Sequence, residues 1–456
     1  MQQNTYQPWV ADPVGARLFS ALERFLHVEA AGGIVLLLAA AVALGWANSP
    51  WAHSYEALWH APVTLGVGTL ISTQSLHFWI NDGLMTIFFL VVGLEIRREI
   101  HEGALSTLSM AAVPLVAASG GVIVPALIYA AFNMDPVTSR GWAIPTATDI
   151  AFAVGILALL GKRVPPGVRV LLLALAIIDD IAAILVIAFF YSSGVKLLGL
   201  AIVAAGVLGV LLFQRMAVRS AFAYLLPGGV MWFGLLYAGV HPTLAGVALG
   251  LLTPVVPLSG RDDPIQSASR ALENFRERAG GNRGDVGELV QPVQQLSRAQ
   301  QQLIAPVLSV QAGLHPWVAY GIMPLFALAN AGVSLQGLSF DNPHALSIGL
   351  GVLLGLVVGK PLGIVLVTLL SARIGLCVLP TGVTPRSLFV VGCLGGIGFT
   401  MSIFIANLAF ASAEFLAAAK LAVLVASLIA GVVGLIMGVI VFKNAAVSSA
   451  APSSAH

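Results

Sequence analysis

Two adjacent aspartates, Asp179 and Asp180, lie in the middle of an apolar run at residues 171–181. Neighbouring residues of a helix point about 100° apart, so the two carboxylates do not share a face, yet both can border one water-filled cavity. Two nearby carboxylates in a medium of low dielectric constant resist double ionisation and bind a proton or a small hard cation. Sodium, like other hard cations, prefers oxygen ligands. The pair is therefore a candidate site at which protons and sodium compete.

Two further ionisable residues, Asp149 and Lys360, occur in equally apolar surroundings. An ionisable side chain near the centre of a bilayer costs about 2.5–3.5 kcal/mol even on a lenient insertion scale, so each should face a cavity or a partner. Lys360 is the obvious counter-ion for the aspartates. It either carries a proton itself or is the structural partner of Asp179, and the sequence leaves both roles open.

Competition for one site is the minimal requirement for exchange. If the site holds either a proton or a sodium ion, and if it faces each side of a membrane alternately, the two ions are exchanged. The structural alternative is a buried salt bridge that only holds helices together. Two adjacent acids against one lysine would leave a buried charge unpaired, which disfavours that alternative.

The elements that position these residues are expected to be interrupted helices. Pro145 removes one helical hydrogen bond just before Thr148 and Asp149. Four glycines weaken a second helix, at positions 392, 395, 396 and 398. Irregular backbone at membrane depth persists only where protein or a water cavity covers it. Two such interruptions indicate a midplane binding site, although glycines also serve close helix packing.

The composition is that of a membrane protein. Of its 456 residues, 58% are hydrophobic and 9% are charged, whereas soluble domains carry roughly 25% charged residues. The net charge of +2 and the absence of a basic stripe argue against nucleic acid as a partner. Cys377 and Cys393 form no disulfide framework, no zinc-type spacing occurs, and no cofactor is expected.

Twelve apolar segments are candidate transmembrane helices, because about 20 mostly apolar residues are needed to cross the hydrocarbon core. They centre near residues 38, 88, 122, 150, 180, 205, 228, 246, 323, 358, 398 and 428. If both termini are cytoplasmic, the outer loops contain only Arg140, Lys196 and Lys420 as basic residues, as the positive-inside rule requires. The predicted protein is therefore multi-pass with both termini inside.

The predicted organisation is a cytoplasmic segment at residues 1–28, one membrane domain at residues 29–443 and a mobile tail at residues 444–456. Within the domain, a long cytoplasmic loop at about residues 254–310 is rich in Pro, Gln, Arg and Ser. A solvated, partly disordered loop is the favoured interpretation, because its low hydrophobicity cannot offset the ordering entropy. A short amphipathic helix at residues 265–279 is the alternative.

Several motifs together resemble the bacterial sodium/proton antiporter family NhaA over about residues 15 to 440. The motifs are NDGLM at 81–85, VGLEIRRE at 92–99, PTATDIAF at 145–152, ALAIIDD at 174–180, HPTLAG at 241–246, HPWV at 315–318, NAGV at 330–333, GKPLG at 359–363 and GIGFTMSIF at 396–404. Interrupted helices at the midplane are a known trait of this family, so the resemblance and the interruptions are not independent indications.

The resemblance implies an all-α membrane fold of about twelve helices with an inverted-topology repeat, in which the broken fourth and eleventh spans cross. It implies that Asp180 is the main ligand of the transported metal ion, Na⁺ or Li⁺, and that Asp179 takes part in ion or proton binding. Lys360 would pair with Asp179. Thr148 and Asp149 would line the crossing and screen the fractional charges of the facing helix ends.

The resemblance also implies regulation by alkaline pH. Glu95, Arg98 and Glu99 match a cytoplasmic regulatory cluster, and their i,i+3 and i,i+4 spacing lets them share one patch. An ordinary charged helix end is an equal alternative. Asp82, on the same span, and His241 are further candidates. His241 titrates in the relevant range, although a structural histidine is the favoured interpretation.

The implied function is electrogenic exchange of cytoplasmic Na⁺ or Li⁺ for external H⁺ in the bacterial inner membrane. Membrane lipid surrounds the protein, and a homodimer is a candidate assembly. A sodium-coupled symporter is the main competing hypothesis, because interrupted helices and intramembrane acids suit it equally. A membrane aspartyl protease lacks its Gly-x-Gly-Asp motif here. An ion channel is disfavoured, because isolated acids on different spans form a site rather than a ring.

Overall fold

Helices make up nearly all of the regular structure in the computed structural model of the protein. The structure describes residues 29–67, 70–192, 194–216, 218, 220–256, 264–280, 291, 293–296, 305–334, 342–380 and 382–443. The predicted N-terminal segment 1–28 and the tail 444–456 lie outside the described residues.

The helices follow one another along the chain. They are α1 (Glu29–Ala47), α2 (Ala52–His60), α3 (Leu76–Glu102), α4 (Leu108–Phe132), α5 (Ile150–Leu159), α6 (Pro166–Phe190), α7 (Leu197–Arg215), α8 (Leu225–Ala238), α9 (Leu244–Leu252), α10 (Pro264–Gly280), α11 (Pro306–Asn330), α12 (Pro343–Arg373), α13 (Pro385–Gly395), α14 (Phe399–Ala409) and α15 (Ala413–Lys443). Short 3₁₀ helices at Thr138–Thr146 and Ala221–Tyr224 precede α5 and α8.

Nine helical segments in the described part of the chain are long and apolar enough to cross a membrane, or up to eleven if two bent helix pairs each count as one span. The predicted number of twelve is not confirmed. The segment predicted near residue 246 is α9, which has only 9 residues and is shorter than the about 20 residues that a span needs. Each of the other eleven predicted centres falls in a longer helix or in one of the bent pairs.

A β-hairpin departs from the predicted all-helical architecture. Strand β1 (Pro62–Val67) pairs with β2 (Leu70–Ser75) in antiparallel register, so that Thr64 lies opposite Thr73. The hydroxyl oxygens of these two threonines are 2.9 Å apart. Residues such as Val, Ile or Thr, which are frequent in strands, occur in both, and β2 leads directly into α3.

Close approach of backbones holds α4 against α12. A Cβ atom added to Gly120 would lie 2.2 Å from the carbonyl oxygen of Gly363, and one added to Gly363 would lie 2.1 Å from the carbonyl oxygen of Gly120. Only glycine fits at both positions, and small residues of this kind let membrane helices pack closely. This contact fixes the segment of α12 that carries Lys360 beside α4.

Single π turns interrupt three of the long helices, at Trp79–Leu84 in α3, Val318–Ile322 in α11 and Gly355–Gly359 in α12. A π turn inserts an extra residue into the helical repeat and is frequent at functional sites. The turn in α12 ends immediately before Lys360, and the turn in α3 contains Asp82.

Two sequence-based expectations change with the structure. In the long loop, the alternative interpretation is confirmed for the part that is described, because α10 is a helix with Ala271 fully buried. Lys420 was assigned to an outer loop, but it lies within α15 and is only partly exposed. The apolar run before Lys420 was too short to reveal where the helix begins.

Candidate functional site

Asp179 and Asp180 occupy the middle of α6 and are almost completely buried, with 1% and 2% of their surface exposed. Pro166 opens α6 at the position where its fixed φ suits a helix and its missing N–H costs nothing. The helix is regular through both aspartates, so their side chains leave it about 100° apart. Each carboxylate therefore has its own environment.

Asp179 belongs to a buried triad with Lys360 and Thr148. The Lys360 ammonium forms an ion pair with Asp179 Oδ2 and also donates to Thr148 Oγ1 at 2.5 Å. Thr148 Oγ1 lies 2.6 Å from Asp179 Oδ2 and 2.8 Å from the carbonyl oxygen of Gly395. A hydroxyl has one proton, so it can donate to only one of these acceptors at a time. The triad joins α6, α12 and the non-helical stretch at residues 147–149 that precedes α5.

Asp180 lacks such partners. Its Oδ1 atom is buried and has no hydrogen-bond partner among the described residues, and the same holds for Asp179 Oδ1. A buried carboxylate without donors is stable only as the neutral acid or with a bound cation. Two unpartnered oxygens from adjacent residues thus mark the part of the site where a proton or a cation can be taken up.

Asp149 connects the two interrupted regions of the chain. It is the N-cap residue of α5, where Oδ1 accepts from the Phe152 N–H at 3.1 Å. Its Oδ2 accepts from the N–H and the hydroxyl of Thr400 at 3.1 Å and 2.5 Å, at the start of α14. The Asp149 N–H donates to the Ile397 carbonyl at 2.7 Å. One carboxylate therefore caps two helix N-termini, where negative charge is favourable.

Two serines complete the contact between these interruptions. Ser402 donates to the Ile144 carbonyl at 2.7 Å, and Ser427 of α15 accepts from the Phe399 N–H at 3.0 Å. Helix ends leave backbone groups without internal partners, and these hydroxyls supply partners for two of them. α13 and α14 meet at an angle of 48° across this break.

The candidate regulatory cluster lies at the cytoplasmic end predicted for α3. Arg98 contacts Glu99 Oε1 at 3.3 Å and Glu95 Oε1 at 4.0 Å, so the three residues do share one patch. Arg98 also donates to Gln311 of α11 at 3.4 Å. Glu99 accepts from the Ala104 N–H at 2.9 Å, which closes the turn after α3. The cluster therefore links α3 to α11.

Asp82 and His241 form a second pair, separate from the regulatory cluster. His241 Nε2 lies 3.4 Å from Asp82 Oδ1, and His241 Nδ1 lies 2.8 Å from Thr243 Oγ1. Both ring nitrogens of His241 thus have partners, as expected for a structural histidine, and its ring packs edge-on against Phe404.

Sequence reasoning did not select Thr400, Ser402 or Gln311. Thr400 follows the glycine-rich interruption, where a new helix begins and needs partners for its first N–H groups. Its position could therefore have identified it as a residue of the site. Gln311 carries no such signal, because an isolated polar residue in an apolar helix is common. The described residues contain no group of three or more His, Cys, Asp or Glu side chains placed to hold a metal ion.

The amino-acid sequence of the chain is similar to those of several known proteins. The family described as Na⁺/H⁺ antiporter 1 matches residues 23–437. The chain is 58% identical to the Na(+)/H(+) antiporter NhaA 2 of Pseudomonas putida over 445 residues, which cover 97% of this chain and 98% of that protein. It is 59% identical to the protein of the same name from Sorangium cellulosum over 428 residues, 94% of this chain and 91% of that one. It is 57% identical to the Na(+)/H(+) antiporter NhaA of Cupriavidus necator over 430 residues, with 94% and 92% coverage.

Proposed function

The chain belongs to the Na⁺/H⁺ antiporter 1 family, whose members are transporters and not enzymes, and we propose that it exchanges Na⁺ for H⁺ across a membrane. Similarity over nearly the full length of several named antiporters supports this function. The apolar helices of the described chain are those of a multi-pass membrane protein.

The observation that carries the proposal is the unpartnered carboxylate of Asp180. In our proposal, Asp180 is the main cation ligand and Asp179 contributes its free oxygen Oδ1. Either a proton or a sodium ion can neutralise the buried carboxylate of Asp180, but the two cannot be bound there at the same time. Na⁺ or Li⁺ therefore displaces H⁺, and competition for one carboxylate couples the two fluxes.

Lys360 and Thr148 have a supporting role at this site in the proposal. Lys360 neutralises Asp179 while Asp180 is protonated. When a cation approaches Asp180, its positive charge repels the Lys360 ammonium, and Thr148 offers a second partner at 2.5 Å. The cation and the ammonium thus compete for Asp179. This competition is consistent with either role of Lys360, as a proton carrier or as a structural counter-ion.

We further propose that the segment Thr138–Leu159 and the pair α13–α14 are the two broken spans that cross at the bilayer midplane. Their contacts through Asp149, Ser402 and Gly395 support this arrangement. α9 would then count as a shortened span, which brings the number of spans to twelve, within an inverted-topology repeat. Asp149 screens the positive helix ends at the crossing, while the negative end of α13 is near Lys360 through Thr148.

The remaining parts of the proposal concern the cell. The protein would lie in the bacterial inner membrane with both termini in the cytoplasm, as the distribution of basic residues indicates. Exchange would be electrogenic, with more protons than sodium ions per cycle. Glu95, Arg98 and Glu99, with Asp82 and His241, would respond to alkaline pH, and a homodimer is the candidate assembly.

Everted membrane vesicles provide the test. With a preformed acid interior, addition of Na⁺ or Li⁺ should collapse the pH gradient, because the ions enter as protons leave. A fluorescent pH probe follows the gradient from mildly acidic to alkaline conditions. Correctly folded protein that gives no response to either ion throughout this range would refute the proposed function.

Asp180→Asn should abolish this response while leaving insertion and the amount of protein unchanged, because the amide can neither release a proton nor neutralise a cation. Asp135→Asn is the matched control, since it makes the same chemical change at an exposed position. Sodium-dependent proton flux that persists in Asp180→Asn would place the binding site elsewhere.

A further inference from the structure

Three asparagines from three different helices meet on the side of the site away from the Glu95–Arg98–Glu99 cluster. Asn330, at the end of α11, accepts from Asn407 of α14 at 2.8 Å and from Asn81 of α3 at 3.3 Å. Asn330 also donates to Asn81 Oδ1 at 2.8 Å. His77 Nε2 lies 3.1 Å from the same Asn330 oxygen. We call Asn81, Asn330 and Asn407 the asparagine layer.

The same three helices contribute three phenylalanines nearer to the site. Phe404 of α14 lies 5.4 Å from Phe89 of α3 and 6.2 Å from Phe326 of α11, measured between ring centroids. All three rings are buried, with at most 1% of their surface exposed. We call these residues the phenylalanine layer. Each helix thus supplies one aromatic ring and one carboxamide.

The order of the layers can be followed along α14. Thr400, which binds Asp149, is followed by Phe404 four residues later and by Asn407 three residues after that. Residues at these spacings lie on one face of a helix, about one turn of 5.4 Å apart. The phenylalanine layer therefore lies between the ion site and the asparagine layer. In the proposed orientation, both layers are on the outer side.

The layers also lie where two groups of helices meet. α14 packs against α15 and the 3₁₀ helix Thr138–Thr146, whereas α3 packs chiefly against α9 and the first half of α11. Asn407 and Phe404 belong to the first group. Asn81 and Phe89 belong to the second. Asn330 is assigned to the second group because it lies on α11, whose first half packs against α3, although the half that carries Asn330 packs chiefly against α1 and contacts both α14 and the π turn of α3. Motion of one group relative to the other would separate Asn407 from Asn330.

We propose that the phenylalanine layer and the asparagine layer form the outer gate of the exchanger, a role that rests on the proposed exchange function. An apolar constriction excludes water and ions when it is narrow. The carboxamide contacts hold it closed without burying a charge, so that they can part and form again in every cycle. Asn330 is the hub, because both neighbouring asparagines bond to it.

Reversible cross-linking tests this gate. Cys377 and Cys393 are the only cysteines of the chain and are first replaced by serine. Asn330→Cys with Asn407→Cys then places two thiols across the boundary between the helix groups. The matched control, Asn81→Cys with Asn330→Cys, places them within one group. A short bifunctional methanethiosulfonate joins each pair in the full-length protein in liposomes.

Cross-linking across the boundary should lower sodium-dependent proton flux at least tenfold, and dithiothreitol should restore it. The control pair should keep most of its flux. Undiminished flux in the protein cross-linked between residues 330 and 407 would contradict the proposed gate. Equal inhibition by both pairs would contradict the proposed boundary between the two groups of helices. Absence of exchange in the wild-type protein would instead contradict the proposed function, so the two failures are distinguishable.

A second measurement does not depend on transport by the cysteine pairs. Thr400→Cys places a thiol on the inner side of the phenylalanine layer, and a membrane-impermeant maleimide is added from the outer face. Labelling should become at least tenfold faster when Phe404→Ala and Asn407→Ala are added. An unchanged labelling rate would show that these residues do not close the outer path.

Discussion

Replacement of Lys360 by methionine should destabilise the protein strongly, because it leaves the charge of Asp179 buried and unpaired. Methionine has a similar length and volume, so the substitution removes charge without leaving a large cavity. Lys360 has 0% of its surface exposed, and its only carboxylate partner among the described residues is Asp179. The effect should therefore report the loss of this pair and little else.

The size of the effect follows from that burial. Removing one partner of a buried ion pair costs about 3–5 kcal/mol, since the remaining charge is uncompensated. At the low end of the usual scaling, about 2 °C per kcal/mol for larger domains, the melting temperature should fall by roughly 6–10 °C. Asp179→Asn in the same chain removes the remaining charge, so the double variant should recover most of this loss.

Thermal unfolding in detergent, followed by intrinsic fluorescence, measures these differences. Lys420→Met is the matched control, since Lys420 also lies in a helix but forms no ion pair with any described residue. The control should change the melting temperature little. An unchanged melting temperature in Lys360→Met, or a double variant less stable than the single one, would contradict the assignment of this pair.

Two further substitutions test the rest of the site. Thr148→Val should cost about 1–3 kcal/mol, because buried partners lose a hydroxyl, and it should lower sodium-dependent proton flux; normal stability together with normal flux would exclude a role for Thr148. Asp149→Ala removes the caps of both α5 and α14, each worth about 1 kcal/mol, whereas Asp149→Asn keeps one acceptor oxygen and should lose less. Melting temperatures of the two Asp149 variants that do not differ in this order would contradict the capping role.

The buried charged residues of the site were predictable from the sequence, because a charge in an apolar segment is conspicuous. Asp179, Asp180, Asp149 and Lys360 stand out for that reason alone. Pro145 and the glycines at 392–398 likewise predicted local breaks, since both residue types disrupt helical hydrogen bonding, and residues 147–149 and 396–398 are not helical in the structure. Thr148 was found through its position beside Pro145 and Asp149.

Other features depend on which helices meet in three dimensions, and the sequence does not contain that directly. Ser427, which caps the start of α14, lies on the next helix, α15. Gln311 accepts a hydrogen bond from Arg98, more than 200 residues earlier in the chain. No local spacing announces either contact. The short α9 was predicted as a full span, because hydropathy does not show that the helix is bounded by Pro242 on one side and by Pro254 on the other.

Asp149, Asp179 and Asp180 have different environments, which suggest different roles. Asp149 is held by three donors at two helix N-termini, and Asp179 is held by Lys360 and Thr148. Both Asp179 and Asp180 lack a donor at Oδ1, but Asp180 also lacks an ion-pair partner among the described residues, so the simplest proposed exchange trades one proton on Asp180 for one sodium ion. That exchange moves no net charge. If transport is electrogenic, a second proton must leave or enter with each cycle, and the Asp179–Lys360 pair is the remaining buried group of this site that can supply it. Electrogenic exchange would therefore make Lys360 a participant in the cycle rather than a passive counter-ion.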